Sequence, residues 1–320
     1  MTVLGDPMLD VYVYGETARV SREAPVLIVR KEREEYRLGG AANGAANLAA
    51  LGVQTELLGV VGSDAAAGKL RSMLQERGVE IAGLVVGAAA TPTKTRVLAG
   101  ATGTAKQQVL RIDDEPELYS VSSGDELAEA LAARAATSDA LVISDYGLGS
   151  VGARTMALAT RLSSEGHTLC VDSRYRLGEF RGVTVITPNA PEAEALTGLS
   201  LSRPGAIEQA GRMLLEKTGC RRCLLKLGRR GMTLFSQDGA SEHVDIVGEE
   251  EVADVTGAGD TVIAAFATGL AARLGAGNAM RIANAAAGVV VTKIGTATAS
   301  PREVEHAAIA AGVELAPWDA

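Results

Sequence analysis

Short β-rich runs alternate with helix-length, alanine-rich stretches through most of this 320-residue chain. The runs at 55–60, 140–144, 168–172, 184–187 and 223–227 read as strands, and 42–51, 65–77, 125–135, 152–164 and 206–217 as helices. Strands separated by helices pair in parallel, because a parallel crossover needs a dozen or more residues. A parallel sheet must be covered on both faces, so the pattern predicts an α/β domain with helices on each side. From Gly257 onward the chain reads as almost wholly helical, over 260–274, 277–293 and 301–311.

Two regions break the alternation. The segment 25–37, PVLIVRKEREEYR, and the segment 93–113, with TKTRVLAG and QQVLRID, read as exposed antiparallel strands. Together, within segments near 11–38 and 92–114, they predict a small sheet projecting from the main domain, as a lid, a dimer contact or an ordinary edge hairpin. No long linker or repeat is evident, so residues 1–320 are expected to form one domain with this insertion.

Composition narrows the functions. Aromatic residues make up 3% of the chain and the formal net charge is -8, against the basic, base-stacking surface of a nucleic-acid binder. No apolar stretch approaches the roughly 20 residues that span a bilayer, and the N-terminus runs into GDPMLD without a signal-peptide pattern. A cytoplasmic protein with no nucleic-acid or membrane partner is expected. Cys170, Cys220 and Cys223 are too sparse for a disulfide framework. Cys220-Arg-Arg-Cys223 has redox spacing but runs into strand-like CLLKLG, and His167, His243 and His306 lack metal-ligand spacing.

The chemistry concentrates in DVTGAGDTVIAAFATGL, from Asp254 to Leu270. A glycine-containing turn entering a helix presents unpaired N–H groups and a positive dipole end to an anion. Gly257, Ala258 and Gly259 supply that turn, without the Lys-Ser/Thr ending of a P-loop or the third small residue of a dinucleotide fingerprint. Asp260 stands beside it, either as a helix N-cap or as the carboxylate that takes a proton from an attacking hydroxyl in phosphoryl transfer. Three further patches fit such a site: GGAANGAANLAALG (39–52), where Asn43 suits a polyhydroxylated ligand, TPNAPE (187–192), and KLGRRG (226–231) after a strand. Each also has a plain structural reading: tight helix packing, a capped helix and a basic hairpin.

The two glycine signatures, in this order and with TPN-x-x-E and K-x-G-x-x-G between them, resemble those of the ribokinase-like, or PfkB, sugar kinases. The resemblance covers essentially the whole chain. It implies a three-layer α/β/α sandwich with a mainly parallel sheet and a β-sheet lid, and an ATP-dependent kinase using Mg2+. It implies Asp260 as base and Gly257, Ala258 and Gly259 as the anion hole. It implies Asn189, Glu192 (to Mg2+ through water), Lys226, Gly228, Gly231 and Asn284 on the nucleotide side. A monovalent cation such as K+ would lie among Asp254, Thr256, Val290, Lys293 and Gly295. Asp10, Gly39, Gly40, Asn43 and Asp145 would face the sugar, and a homodimer would form through the lid strands.

Within the family, GDPMLD, SREAPV, SDYGLG and the run to NAAAGVVVTKIGT are most similar to the kinases of heptose 7-phosphate; ribose, fructose and nucleoside kinases, or a non-catalytic sugar- or nucleotide-binding regulator, are the alternatives. A phosphorylated acceptor would need cations, for which Lys94, Arg96 and Arg111 are the candidates. Two departures stand out. Leu148 replaces a lysine after SDY-x, and Asp172-Ser173-Arg174 replaces DPK.

Overall fold

The computed structural model describes residues 1–101, 103–115, 121–248 and 252–313. The main sheet contains β1 (Thr2–Gly5), β4 (Thr55–Val61), β5 (Val79–Glu80), β6 (Leu84–Val86), β9 (Leu141–Asp145), β10 (Leu169–Ser173), β11 (Val185–Ile186), β12 (Arg222–Lys226), β13 (Met232–Ser236) and β14 (Ser241–Val244). Its order is β14-β13-β12-β11-β10-β9-β1-β4-β5, with β6 also on β4. All pairings from β12 through β5 are parallel; β13 and β14 add an antiparallel edge.

Side chains that alternate along these strands feed two separate cores. Val3, Leu57, Val142, Cys170 and Leu224 pack with α1 (Ala41–Ala50), α2 (Ala65–Glu76), α7 (Ala258–Ala271), α8 (Ala276–Val291) and α9 (Pro301–Ala310). Their neighbours Leu4, Leu58, Ile143, Val171 and Leu225 face α3 (Val121–Ala135), α4 (Ala153–Ser164), α5 (Ala190–Thr197) and α6 (Ala206–Thr218). Period-two burial on both faces is what a sheet between two helical layers requires. The fold is therefore the expected three-layer α/β/α arrangement. Cys170, Cys220 and Cys223 are free and buried in these cores, with burial pushing every thiol up, which leaves the Cys-x-x-Cys spacing a packing feature.

A second sheet, order β3-β2-β7-β8, comprises β2 (Pro7–Val20), β3 (Leu27–Gly40), β7 (Thr93–Gly100) and β8 (Gln107–Asp114). The two expected segments are joined by β2, which pairs antiparallel with β3 and parallel with β7. Only Asp6 separates β2 from β1, so this sheet grows directly out of the middle of the main one. Among the described residues, no helix is long and apolar enough to cross a membrane.

Candidate active site

The start of α7 stands between two cavities. Gly257 is its N-cap at φ 80°, and a β-carbon there would lie 2.5 Å from Asn43 Nδ2, so both backbone and space demand glycine. No side chain caps this helix. The Ala258 amide reaches the Val255 carbonyl at 3.3 Å, and the positive end of the helix dipole faces the turn, where it suits an anion. Asp260 is the third helical residue, and its carboxylate is held by side chains from other elements rather than capping the helix. Asn43 Nδ2 donates to Oδ2 at 2.9 Å and the Tyr146 hydroxyl donates to Oδ1 at 2.9 Å. The N-cap reading of Asp260 is thereby corrected.

Asn43 occupies the third position of α1, which the small residues of GGAANGAANLAALG let pack closely against α7. One turn on, Asn47 Nδ2 donates to the Asn43 carbonyl (3.0 Å) and to Asn43 Oδ1 (3.2 Å), while Asn47 Oδ1 accepts from the Thr261 hydroxyl (3.0 Å). A chain of side chains therefore runs from Thr261 through Asn47 and Asn43 to Asp260. Burial pushes the Asp260 carboxyl up to about 7; the charge of Asp172 adds to this, while the Asn43 and Tyr146 hydrogen bonds and Lys226 oppose it.

On one side lies a cavity of about 180 Å³, lined among others by Asp10, Gly40, Lys94, Arg96, Arg111 and Asp260. Sheet register explains the convergence: Asp10 pairs with Lys94 across β2 and β7, and Arg96 with Arg111 across β7 and β8. Arg96 donates to Asp10 Oδ1 at 2.5 Å, and Arg111 grips Asp113 with two bonds of 2.8 Å. Lys94 contacts Asp113 at 3.4 Å and also pairs with Glu115. Burial raises the Asp10 carboxyl, with Arg96 opposing. Gly39 keeps clear of it, since a β-carbon there would lie 2.7 Å from Asp10 Oδ2. Asp145, expected on this side, is instead bound by Arg176 (2.6 and 3.2 Å) and Ser173 (2.6 Å), and it lines neither cavity.

On the other side is a larger cavity of about 580 Å³ that gathers Asn189, Lys226, Gly228, Gly231, Gly259 and Asn284 with the apolar Ile246, Val255 and Val291. Lys226 Nζ binds Asp172 at 2.9 Å and lies 3.3 Å from where a β-carbon on Gly259 would stand. Burial pulls this ammonium down, but Asp172 and Glu192 together raise it, so it stays charged. Gly228 and Gly231, at φ 60° and 69°, close the turn from β12 to β13, so the basic hairpin is real and also lines the cavity. The Asn284 amide donates to the Asp245 carbonyl at 2.6 Å.

Asn189 and Glu192 form a reciprocal capping box on α5, with bonds of 2.7 to 2.9 Å. A carboxylate has about four lone-pair sites, so Glu192 can also accept from a water. Among the described residues no three His, Cys, Asp or Glu side chains cluster to hold a metal directly. A magnesium ion carried by a nucleotide would be reached through water by Glu192, whose carboxylate keeps lone pairs beyond the capping box. Asp254 accepts from the Thr256 amide (2.9 Å) and hydroxyl (2.7 Å) and from the Gly295 amide (3.0 Å), and the Lys293 amide bonds the Val290 carbonyl. The Ala253 and Asp254 amides both reach the Val291 carbonyl, which brings the end of α8 beside Asp254.

Four site residues carried no role in the sequence reading: Tyr146, Asp6, Asp172 and Arg174. Arg174 lines the smaller cavity, so the Asp172-Ser173-Arg174 departure still delivers a cation there. Leu148, the other departure, is buried.

An anion-binding helix start facing a buried carboxylate, set between a roomy cavity and a cationic one on an α/β/α fold, is the layout of a small-molecule kinase. Residues 3–303 match the pfkB family of carbohydrate kinases, and the chain belongs to that family. The bifunctional protein HldE of Citrifermentans bemidjiense is 40% identical over 306 residues, which cover 94% of this chain and 62% of the relative. The chain thus spans less than two thirds of the curated relatives it matches. Among solved structures, Escherichia coli phosphofructokinase-2 in complex with potassium superposes with a TM-score of 0.79 at 19% identity over 97% of this chain and 98% of its own. Arabidopsis thaliana ribokinase complexed with ribose and ATP gives 0.74 at 21% identity, covering 96% and 97%.

Proposed function

We propose that this chain transfers the terminal phosphoryl group of Mg-ATP to a hydroxyl of a sugar that already carries a phosphate, with heptose 7-phosphate phosphorylated at C1 as the leading acceptor. The observation that carries this is the placing of Asp260 at the partition, its carboxyl raised to about 7, facing a cavity with four cationic side chains. Asp260 accepts the hydroxyl proton as the acceptor oxygen attacks. The N–H groups of Gly257, Ala258 and Gly259, with Lys226, stabilise charge on the transferred group. Magnesium supplies charge neutralisation on the nucleotide phosphates. A K+ ion beside Asp254 would steady the turn before α7.

Lys94, Arg96, Arg111 and Arg174 favour an anionic acceptor over neutral ribose, fructose or a nucleoside. A non-catalytic regulator has no use for a carboxylate held in this manner. The small sheet acts as a lid over the acceptor, and its exposed Val109, Leu110 and Ile112 (43%, 53% and 54% exposed) support pairing with a second copy. A panel of sugars and sugar phosphates with Mg-ATP, read by phosphorus NMR, tests the assignment. Phosphorylated acceptors, heptose 7-phosphate foremost, should turn over at least about 100-fold more efficiently than neutral sugars. Equal or better turnover of neutral sugars would overturn it.

A further inference from the structure

Asp6, the residue between β1 and β2, is fully buried and spends its carboxylate on one loop. Oδ2 accepts the amides of Tyr146 (2.8 Å) and Leu148 (3.1 Å), and Oδ1 accepts that of Ser150 (2.8 Å). Gly147 and Gly149, at φ 75° and 102°, let the backbone wrap around it. A buried carboxylate is costly unless such bonds repay its desolvation. The loop locked by this clamp delivers the Tyr146 hydroxyl onto Asp260 Oδ1 at 2.9 Å, opposite the Asn43 amide on Oδ2.

We propose that Tyr146, held by Asp6, is a positioning residue for Asp260: with Asn43 it fixes the plane of the carboxylate toward the acceptor cavity and favours its ionised form. The inference rests on reading Asp260 as the base. A carboxylate turns easily about its last torsion, and one donor on each oxygen removes that freedom before the acceptor arrives. Tyr146 also lines the acceptor cavity. Its phenol stays protonated, because burial and the neighbouring Asp260 charge both raise it, so it donates throughout and does not itself take the proton.

The other groups facing Asp260 are Asn43 from α1, Asp172 from β10 and Lys226 from β12. Across the cavity stand Asp10, Lys94, Arg96, Arg111 and Arg174. Tyr146→Phe changes none of them and keeps the ring. Its pH–rate profile, measured with Mg-ATP and the best acceptor of the panel above, should show the acid limb displaced to higher pH and kcat lowered on the order of tenfold, with little change in either KM. Asp6→Asn should move the limb the same way, and the double variant should be less than additive, since both act through one contact.

A uniform loss at every pH with the limb in place, or full additivity, would overturn the positioning role. Asp260→Asn separates this from the parent reading. If residual activity in that variant keeps the acid limb, Asp260 is not the titrating base; if the limb vanishes there yet stays put in Tyr146→Phe, only the present inference falls.

Discussion

The two cavities that meet at α7 are built by opposite means. The larger is shaped by backbone: glycine turns at 228 and 231, the apolar face of α8 and the uncapped start of α7, with Lys226 as its main charged group. The smaller is shaped by side-chain charge, with Asp10 and Asp260 set among Lys94, Arg96, Arg111 and Arg174. A ligand that every member of a kinase family shares can be met by backbone geometry. An acceptor that differs between members must be read by side chains that can be exchanged.

Changes at the partition should break both sides at once. Asp260→Asn should lower kcat by about 10³-fold, within the usual range for a general base, while equilibrium binding of nucleotide and acceptor survives. Turnover near the original rate would remove Asp260 from the chemistry. Changes on one side should leave the other intact. Arg96→Ala strands the buried Asp10 carboxylate and should cost on the order of 100-fold in kcat/KM for the phosphorylated acceptor, about 2.7 kcal/mol, with the KM for ATP nearly unchanged. Equal effects on both substrates would show that the cavities are not separate.

Gly231→Ala is the converse test. Its β-carbon would lie 1.9 Å from the Val244 carbonyl oxygen, at φ 69°, so the KM for ATP should rise and Tm fall by several degrees, with acceptor preference unchanged. Steady-state kinetics and a thermal melt read both.

The pH dependence sharpens the partition further. A carboxyl raised from 3.8 to about 7 must be ionised to accept a proton, so kcat should fall as pH drops below about 7. Stability follows the opposite sense. The folded state holds this proton more tightly than the unfolded one, so the desolvation penalty is fully felt above pH 7 and is relieved as pH falls from about 7 toward 4. Asp260→Asn should therefore raise Tm relative to the parent at pH 8, and the gain should shrink toward pH 5; a gain independent of pH would contradict the raised carboxyl. The smallest effect is expected from Cys220→Ala with Cys223→Ala, which should leave both substrates' kinetics alone and cost only packing.

Much of the fold was legible because its signals are local. The strands read at 55–60, 140–144 and 168–172 appear within a residue or so as Thr55–Val61, Leu141–Asp145 and Leu169–Ser173, since each is bounded by helix-length segments. β1 was not read, although it lies in the middle of the sheet: four residues, Thr2–Gly5, carry no periodicity of their own. KLGRRG carries a basic-hairpin reading that matches the antiparallel β12–β13 turn, but nothing local marks β14 as the strand that extends that edge. In the small sheet, segments 25–37 and 93–113 were legible as strands; β2, which joins them, falls only in part within the expected 11–38 segment and carries no strand signal of its own.

By itself the sequence determined the alternation that makes a parallel sheet, the glycines that open the turn before α7, and the carboxylate, amides and cations that a phosphoryl-transfer site needs, because each is set by spacing within a few residues. Only the tertiary structure decided how they are used. Asn43 and Asp260 are 217 residues apart, Tyr146 and Asp260 are 114, and Lys226 and Asp172 are 54. Asp145 shows the same rule from the other direction, since its nearness to Arg176, and so its absence from the smaller cavity, follows from the packing of a loop. Contacts across such separations depend on which strands become neighbours and which helix faces meet, and no local pattern encodes that.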